Sequence, residues 1–527
     1  MTHAKKRSPG RYTLIASLCL LAGGAGLALA LDSAEAAGTS QAAHANRTAA
    51  GRPGTSWLSY SGKHLVYGHD AQGNRIPDYS YAGYEGGRVA LPAVPTKVTV
   101  PAPHGTDDTA TVQSAIAKVS ALPLDANGFR GAVQLAPGTY RIAGTLRINA
   151  SGVVLRGAGP DAKATTLQAE GADARTLLTI GGTSKYTVVG AKQAVTDSYV
   201  PVGGTSLTLT DASGFKAGDE IVIERPTTQT WINSLGMQSA WKPNWSLYSE
   251  RKITAVQGNR ITFDAPLTTA LEKQYTDATV YHYTFPRIDH VGLENLTADG
   301  RAMAADPNYA SDFYNSGFAQ FNAVQDSWVN RVTTEHFGDY GVAFPSQQSR
   351  RITEDHVSAL NMLTTNSSAR SFGFLLGGQE NLIQNCSLTA PKIHAFVPYK
   401  HTAGPNVFSK CTATTIATTY DAGGHERWDS GTLYDDVTVQ GNLLMVNNGN
   451  RGSGHGWSDA NATAWNCKTQ GIEVQNPPTA HNWALGCIGT VLKGTNGELT
   501  SQGAPVAPTS LYDEQLRERG TDTAPHK

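Results

Sequence analysis

Side chains that can bind an anion or move a proton crowd together between residues 399 and 459. They fall in three runs: Tyr399-Lys400-His401, His425-Glu426-Arg427-Trp428-Asp429, and Arg451 followed by Gly452-Ser453-Gly454-His455-Gly456-Trp457. Arginine can bind a carboxylate through two parallel hydrogen bonds, and histidine changes its charge near neutral pH. This combination is typical of a site that binds an acidic ligand and transfers a proton.

The spacing of these residues predicts that they stack. Three potential cations lie 14 residues after positions 386, 411 and 437, respectively: Lys400, His425 and Arg451. Two more residues lie 18 residues after positions 411 and 437: Asp429 and His455. Equal offsets on adjacent coils of a repeat give two columns, although variable loops can shift the register by one or two residues. Stacked cations repel one another, so we expect either a bound anion or neutralising ion pairs to Glu426, Asp429 and Asp459.

The positions used for counting belong to a repeat of short strands. Runs of β-branched residues, broken by Gly, Asn, Asp and Pro, place an equivalent inward residue at positions 296, 332, 357, 386, 411, 437, 467 and 487. A period of this length without helical periodicity predicts stacked coils of a parallel β-helix. A β-sandwich is the alternative, but it would show more Asn-Gly or Asp-Gly hairpin turns.

A segment before this repeat resembles a known family. It reads GTDDTATVQSAIAKV, then GAVQLAPGTYRIAGTLRI and SGVVLRGAG, over about 55 residues that begin at Gly105. The segment resembles the N-terminal part of the pectate-lyase-like superfamily, whose members are single-stranded right-handed parallel β-helices. The resemblance implies this fold and a role with carbohydrate. It does not select a reaction, because the superfamily contains polysaccharide lyases, glycoside hydrolases, epimerases and phage tailspikes.

The sequence divides into six segments. Residues 1–36 have a basic start, an apolar stretch from Leu14 to Leu31 and an Ala34-Glu35-Ala36 cleavage motif, which together predict a secretory signal peptide rather than a membrane anchor. The others are a lead-in (37–95), the first coils with an amphipathic helix (96–185), a small inserted antiparallel β-domain (186–290), the main coils (291–500), and a tail with a short helix that caps the last coil or is disordered (501–527). We therefore expect a secreted, all-β protein.

The composition of the chain excludes several classes of protein. The chain has 42 Lys and Arg against 43 Asp and Glu, and 16% of its residues are charged. This balance excludes a basic nucleic-acid binder, a coiled coil and a disordered polyampholyte. No segment after the signal peptide is apolar enough to span a membrane.

Four cysteines remain after the predicted signal peptide: Cys386, Cys411, Cys467 and Cys487. None has the C-x-x-C spacing of a zinc site. Equivalent residues on adjacent coils lie about 4.8 Å apart, which is within reach of a disulfide. We therefore predict disulfides joining Cys386 to Cys411 and Cys467 to Cys487. An unbonded column of small apolar residues is the alternative.

Aromatic residues are candidates for sugar binding. Three tryptophans fall within 15 residues of the predicted insert: Trp231, Trp241 and Trp245. Exposed indole rings stack on the apolar faces of sugar rings, and Trp428, Trp457, Tyr399 and His401 belong to the same candidate set. The alternative is that the insert tryptophans form the core of the insert.

An acidic polysaccharide is the ligand that this chemistry predicts. β-Elimination from a uronate requires neutralisation of the carboxylate, removal of the C5 proton and protonation of the leaving O4. Arg427 and Arg451 are the candidates for the first role, Lys400 or His425 for the base, and Tyr399 or His455 for the acid. Asp429 completes the catalytic set.

Other readings remain open at this point. No acidic cage for a metal is evident, so we expect no cofactor, although Asp435-Asp436 and Asp421 leave room for calcium. A glycoside hydrolase would instead use two carboxyl groups. Four candidates lie in this region, Asp421, Glu426, Asp429 and Asp459, and Asp339 with Glu335 lies on earlier coils. A non-catalytic glycan-binding protein is the third class.

Overall fold

The computed structural model describes residues 57–158, 164–173, 175–182, 184–243, 245–305, 317–363, 371–390, 394–415 and 421–521. The predicted signal peptide and its cleavage motif lie outside these residues. Within them, no helix is long and apolar enough to cross a membrane.

Most of the described chain is a parallel β-helix, which confirms the predicted fold class. A single hydrogen-bonded network joins 29 strands, and the strands of each coil pair in parallel with those of the coils before and after it. For example, Ser387 pairs with Thr412, and Thr412 pairs with Thr438. Each coil contributes to three sheets, here called the first, second and third sheets in chain order.

The strands of the three sheets are short. Those of the first sheet are Thr96–Val100, Gly131–Leu135, Val153–Arg156, Ile288–Asp289, Gly292–Asp299, Val324–Glu335, Arg350–Asp355, Leu382–Gln384, Ala403–Ser409, Asp429–Asp435, Asp459–Ala460, Thr463–Trp465, Trp483–Leu485 and Glu498–Thr500. Those of the second sheet are Gly138–Ile142, Thr165–Ala169, Ser358–Leu360, Ser387–Ala390, Thr412–Thr415, Thr438–Met445, Lys468–Val474 and Ile488–Val491. Those of the third sheet are Leu146–Ile148, Thr176–Gly181, Gly317–Asn322, Tyr340–Pro345, Phe372–Leu376, His394–Pro398 and Asp421–Ala422. The strands Gly292–Asp299 and Val324–Glu335 continue into the second sheet, and Thr438–Met445 and Lys468–Val474 continue from the second sheet into the third.

The predicted inward positions form one column in the interior. Leu296 pairs directly with Val332, and the pairs that follow place positions 357, 386, 411, 437, 467 and 487 in the same register. All eight side chains are buried. The periodicity in the sequence therefore predicted the register of the stacked coils correctly.

A sharp corner precedes each member of this column. The residue before it has a left-handed backbone, with φ between 51° and 69°, in all eight coils: Asn295, Arg331, His356, Asn385, Lys410, Asp436, Asn466 and Gly486. Glycine, Asn, Asp and His tolerate this conformation better than most other residues. Because this corner is always one residue long, the chain passes from the first sheet to the second without a change of register.

Three α-helices lie within the described residues. The first, α1 (Thr109–Ser120), buries Val112, Ile116 and Val119 against the interior of the first coils, as predicted. The second, α2 (Gln229–Leu235), belongs to the insert, and α3 (Leu511–Thr521) ends the described chain. Short 3-10 turns lie at Tyr84–Gly87 and Arg301–Ala305.

The tail packs along a flank of the coils instead of closing their end. Leu511 and Tyr512 of α3 join the lead-in residues Ile76 and Tyr79 in one apolar cluster on the outer side of the first sheet. The Asp435 carboxylate accepts hydrogen bonds from the backbone of Leu511 and Tyr512, at the start of α3. The lead-in adds a hairpin of strands Leu58–Ser61 and His64–Tyr67.

The insert is a six-stranded antiparallel sheet, as the predicted fold class requires. Its strands are, in spatial order, Thr187–Ala194, Thr279–Thr284, Glu220–Arg225, Leu247–Gln257, Arg260–Phe263 and Ser206–Thr208, and a separate pair is Tyr199–Val200 with Leu271–Glu272. Buried charges fix the insert to the coils. Glu250 lies 2.6 Å from Arg287 and 3.5 Å from Arg350, and Arg251 donates to the carbonyl of Gly404 at 2.9 Å.

The predicted disulfides are not formed. All four cysteines occupy the interior column as free thiols, so the structure has the unbonded column that was the alternative. The Sγ atoms of Cys411 and Cys467 approach backbone carbonyls of adjacent coils at 3.4 and 3.1 Å. Burial raises the pKa of the Cys386 and Cys467 thiols well above the usual range, which leaves them poor nucleophiles.

Candidate functional site

The candidate residues meet where the chain turns from the third sheet back to the first. In one coil this turn joins the strand His394–Pro398 to Ala403–Ser409, and in the next it joins Asp421–Ala422 to Asp429–Asp435. Unlike the one-residue corner, these turns differ in length from coil to coil. They are therefore free to carry polar residues at positions that the sheets do not fix.

Three histidines form a row across successive coils. The ring centroids of His394 and His425 are 5.3 Å apart, and those of His425 and His455 are 4.6 Å apart. At one end of the row, Nδ1 of His394 makes a short hydrogen bond with the carboxylate of Asp421, its partner on the next strand. A carboxylate in this position fixes the orientation and tautomer of an imidazole. Phe372 supports the row, with its ring 5.1 Å from that of His425.

Glu426 is the negative centre beside this row. Its carboxylate lies 3.6 Å from Nζ of Lys400, 2.8 Å from Nη1 of Arg427 and 3.6 Å from Nε2 of His455. The Glu426 side chain is only 8% exposed, whereas that of Lys400 is 34% exposed. Lys400 is therefore the cation of this group that an incoming ligand can reach.

The Arg427 guanidinium is occupied by the protein. Its Nε donates to the carbonyl of Ala240, in the insert, at 2.8 Å, and Nη2 donates to the hydroxyl of Ser453 at 2.7 Å. With Nη1 bound to Glu426, the group joins the insert to two turns of the β-helix. Arg451, by contrast, is exposed and binds the side chain of Asn448.

The two predicted columns do not exist in the predicted register. The His401 amide donates to the carbonyl of Arg427, and the Arg427 amide donates to that of His455. The backbone at Lys400 therefore lies beside Arg427 instead of His425, a shift of two residues. Likewise, Asp429 pairs with Asp459 and not with His455. The shift places an anion, Glu426, among the expected cations.

Most of the predicted sugar-stacking tryptophans are buried. Trp231 and Trp428 have no exposed surface and Trp241 is 3% exposed, so these three belong to the core between insert and coils, which was the alternative. Trp245 and Trp457 are half-buried at the edge of the same cluster. His401 lies between the rings of Trp241 and Trp245, at 4.8 and 5.0 Å. Burial and the charges of Arg427 and Lys400 lower the pKa of His401 to about 3, so it is neutral.

This tryptophan core holds a strained turn. Arg427 and Trp428 both have a left-handed backbone, with φ of 61° and 64°, a conformation that is rare and costs about 1–2 kcal/mol for a bulky residue. The indole of Trp428 packs edge-on against Trp231 at 4.8 Å. The insert thus stabilises, from behind, the turn that carries His425 and Glu426.

Aromatic side chains do approach the site from the third sheet. Tyr399 and Phe344 are half-buried and pack edge-to-face at 5.8 Å. The Nζ atom of Lys400 lies 5.0 Å from the centre of the Tyr399 ring. Tyr399 therefore combines a ring face and a hydroxyl group beside the accessible cation, which suits it to contact a sugar.

Two groups of donors among the described residues could hold a metal ion, and one of them lies at this site; the other is Asp299, Glu335 and His336. Single ligand atoms of His425, Glu426 and His455 lie within 4.8 Å of one another. However, Lys400 and Arg427 already neutralise Glu426, and two cations beside the same carboxylate oppose the binding of a third. Asp435, which had left room for calcium, is engaged at the start of α3. The charge balance favours an anionic ligand.

His394 is the residue that the sequence analysis missed. It follows position 386 by eight residues, an offset that the other two histidines do not share. Asp421 was considered only as a calcium ligand or a hydrolase carboxylate. Their pairing depends on the parallel alignment of two third-sheet strands, and the lengths of the preceding turns conceal this alignment in the sequence.

The fold and the turns that carry the histidine row define a parallel β-helix protein with a histidine-rich, carboxylate-lined site. Comparison of the sequence with protein-family models and with curated proteins gives no match. Among solved structures, the chain is similar to a polygalacturonase from Erwinia carotovora, with 12% identity over 79% of this chain and 98% of that chain and a TM-score of 0.40.

Two further structures have similar values. One is the tailspike protein gp49 of Pseudomonas phage LKA1, with 14% identity over 76% of this chain and 70% of that chain and a TM-score of 0.37. The other is the A-module of a mannuronan C-5 epimerase from Azotobacter vinelandii, with 13% identity over 79% and 94% and a TM-score of 0.30. At these values the likeness says nothing about the activity of this chain.

Proposed function

We propose that the protein is a secreted enzyme that cleaves an acidic, uronate-containing polysaccharide by β-elimination. The observation that carries this proposal is the histidine row. It begins at the His394–Asp421 pair and ends at His455, which shares the Glu426 carboxylate with the accessible ammonium of Lys400. A base oriented by a carboxylate, a neighbouring proton donor and a cation for the substrate carboxylate are the three requirements of the reaction.

Each group has one role. Lys400 binds the uronate carboxylate, which makes the C5 proton more acidic, and Tyr399 packs against the sugar ring. His394, with Nδ1 held by Asp421, accepts the C5 proton at Nε2. The electron pair of the C5–H bond forms the C4–C5 double bond, and the C4–O4 bond breaks. His425, whose ring is 5.3 Å away, donates a proton to the departing O4.

The exposure of the carboxyl groups favours elimination over hydrolysis. A glycoside hydrolase needs two carboxyl groups that flank the bond, one of which is protonated. Of the four candidates, Asp429 and Asp459 are fully buried, Glu426 is neutralised by cations, and Asp421 is bound to His394. Histidines, not carboxyl groups, therefore provide the proton-transfer groups at this site.

The first experiment incubates the purified protein with a panel of uronate and neutral polysaccharides. Ultraviolet absorbance of the C4–C5 double bond and reducing ends are followed together. Both should rise on a uronate polymer. Reducing ends without absorbance would establish a hydrolase, and binding without either signal would establish a glycan-binding protein. Each of these results overturns the proposal.

Variants then test the roles. We expect His394→Ala to lower kcat by a factor of about 100 or more, the usual effect of removing a general base. Lys400→Ala should raise KM and also lower kcat, because the ammonium both binds the carboxylate and makes the C5 proton more acidic. The matched control is His356→Asn. Nδ1 of His356 lies 2.9 Å from the carboxylate of Asp355, and asparagine tolerates the left-handed backbone of this corner between the first and second sheets. The control should retain activity within twofold, and a fully active His394→Ala variant would remove this base from the mechanism.

A further inference from the structure

Two carboxyl groups lie directly behind the histidine row. Asp429 and Asp459 pair on adjacent parallel strands, and neither has any exposed surface. Adjacent strands are about 4.8 Å apart. Two carboxylates that are paired on adjacent strands and shielded from water repel each other, and both can be ionised only if a cation neutralises them.

The groups that face this pair supply no cation. Glu426 and Asp459 act on Asp429, and the Tyr434 hydroxyl acts on Asp459. Asp421 and Cys467 lie beyond Tyr434. None of these facing groups is a cation. Tyr434 is a neutral phenol whose hydroxyl lowers the pKa of Asp459 against the larger effect of burial, and Lys400 and Arg427 direct their charges to Glu426.

The hydrogen bonds show what the pair holds in place. Asp459 Oδ2 accepts from the Gly424 amide at 2.7 Å, immediately before His425, and Asp429 Oδ1 accepts from the Thr402 amide at 3.2 Å. The other two oxygens, Asp429 Oδ2 and Asp459 Oδ1, have no hydrogen-bond partner among the described residues. A proton held between the two carboxyl groups would satisfy both.

We propose that Asp429 and Asp459 share one proton and act as a positioning pair for the turn that carries His425 and Glu426. This inference rests on the proposed function. With the proton in place, one carboxyl group donates to the other and Asp459 keeps its bond to Gly424. When the proton is lost, the two carboxylates repel each other and the turn loosens, so that the histidine row loses its alignment. Burial, with repulsion by Asp459, raises the pKa of Asp429 well above its usual value, and burial raises that of Asp459 to about 7.

The test compares Asp459→Asn with the unchanged protein between pH 5 and pH 9. Asparagine keeps an oxygen for Gly424 and an amide that donates to Asp429 at every pH. We expect its kcat at pH 6 to stay within threefold, and the alkaline limb of its kcat profile to move up by at least one pH unit. Asp459→Ala, which removes the acceptor for Gly424, should lose at least tenfold in kcat at every pH.

The thermal unfolding midpoint provides a readout that does not depend on catalysis. In the unchanged protein the midpoint should fall between pH 5 and pH 8, and in Asp459→Asn this fall should be smaller. An unchanged slope in Asp459→Asn would overturn the shared proton even if the protein proved inactive on every uronate. Normal unfolding combined with no activity at pH 6 would also overturn the proposal, because the carboxyl group would then be needed for chemistry and not for positioning.

Discussion

A buried carboxyl group in the interior of the coils gives a quantitative test of the fold. Glu354 lies in an inward column between Val329 and Ile383, on the adjacent coils, and has no exposed surface. Neither of its carboxyl oxygens has a hydrogen-bond partner among the described residues. Burial raises the pKa of Glu354 well above its usual value, so the folded protein holds this group in its neutral, protonated form.

The free-energy cost of burying the Glu354 carboxyl group depends on pH. The unfolded chain releases the proton above pH 4.3, so the folded state binds more protons and stability falls as the pH rises. Holding the proton at pH 7 costs about 4 kcal/mol, from 1.36 kcal/mol for each pH unit above 4.3. An unsatisfied buried polar group adds about 1–3 kcal/mol at any pH. Glu354→Met, with similar volume and no polar hydrogen-bonding group, removes both costs.

We therefore expect Glu354→Met to raise the free energy of unfolding more at pH 7 than at pH 4.5, by about 3 kcal/mol. Urea titration followed by tryptophan fluorescence at the two pH values measures this difference. Asp355→Asn is the control, because the next side chain of the same strand faces outward and binds Asn385. An equal gain at both pH values, or a loss of stability at pH 7, would refute the reasoning.

Three other predictions concern the site and its supports. A Cβ at Gly424 would lie 2.7 Å from a carboxylate oxygen of the buried pair, so Gly424→Ala should lower kcat at least tenfold, whereas Gly214→Ala, with open space around it, should not. Arg287→Ala should destabilise the protein by about 2–3 kcal/mol in urea titration, because it removes two charged hydrogen bonds to buried Glu250 and leaves only Arg350 to neutralise it. The partner of Arg287 is Glu250, whose pKa Arg287 and Arg350 lower to about 2 despite burial. The stabilisation from ionised Glu250 should therefore be present above pH 4.5 and lost as the pH falls towards 2. Urea titration at a series of acidic pH values measures this loss. Asp435→Ala should release α3 and speed its removal by a protease. The control Asp436→Asn, which keeps a residue suited to the left-handed corner, should leave α3 in place.

The sequence predicted the parts of the fold in which hydrogen bonds set the spacing. The corner from the first sheet to the second is always one left-handed residue, such as Asn385 or Lys410, so the inward position after it recurs in register. Hydrophobic burial at Val357 or Val437 then makes the repeat visible. Hydrophobic burial also made α1 predictable, because three apolar residues recur at helical spacing on one face.

The site was harder to predict because it lies on the variable turns. The turn from the third sheet to the first is four residues long after Pro398, six after Ala422 and thirteen after Met445. Counting the same number of residues on each coil predicts that Lys400 lies beside His425. In the structure Lys400 lies beside Arg427, two residues further along the chain. Insertions there leave the sheets undisturbed, so the stacked strands impose no spacing on the polar residues.

Residue type alone also could not show which charges are buried. Aspartate is usually exposed, and the sequence predicted Asp429 as a catalytic residue or as a partner of the stacked cations, yet it is enclosed with Asp459. The two proposals are linked through this pair. A uronate carboxylate can bind near Lys400 only if the surrounding negative charge is small. The proton shared by Asp429 and Asp459 removes one negative charge from this region. The loss of that proton would therefore weaken the attraction for the substrate and the alignment of the histidine row together.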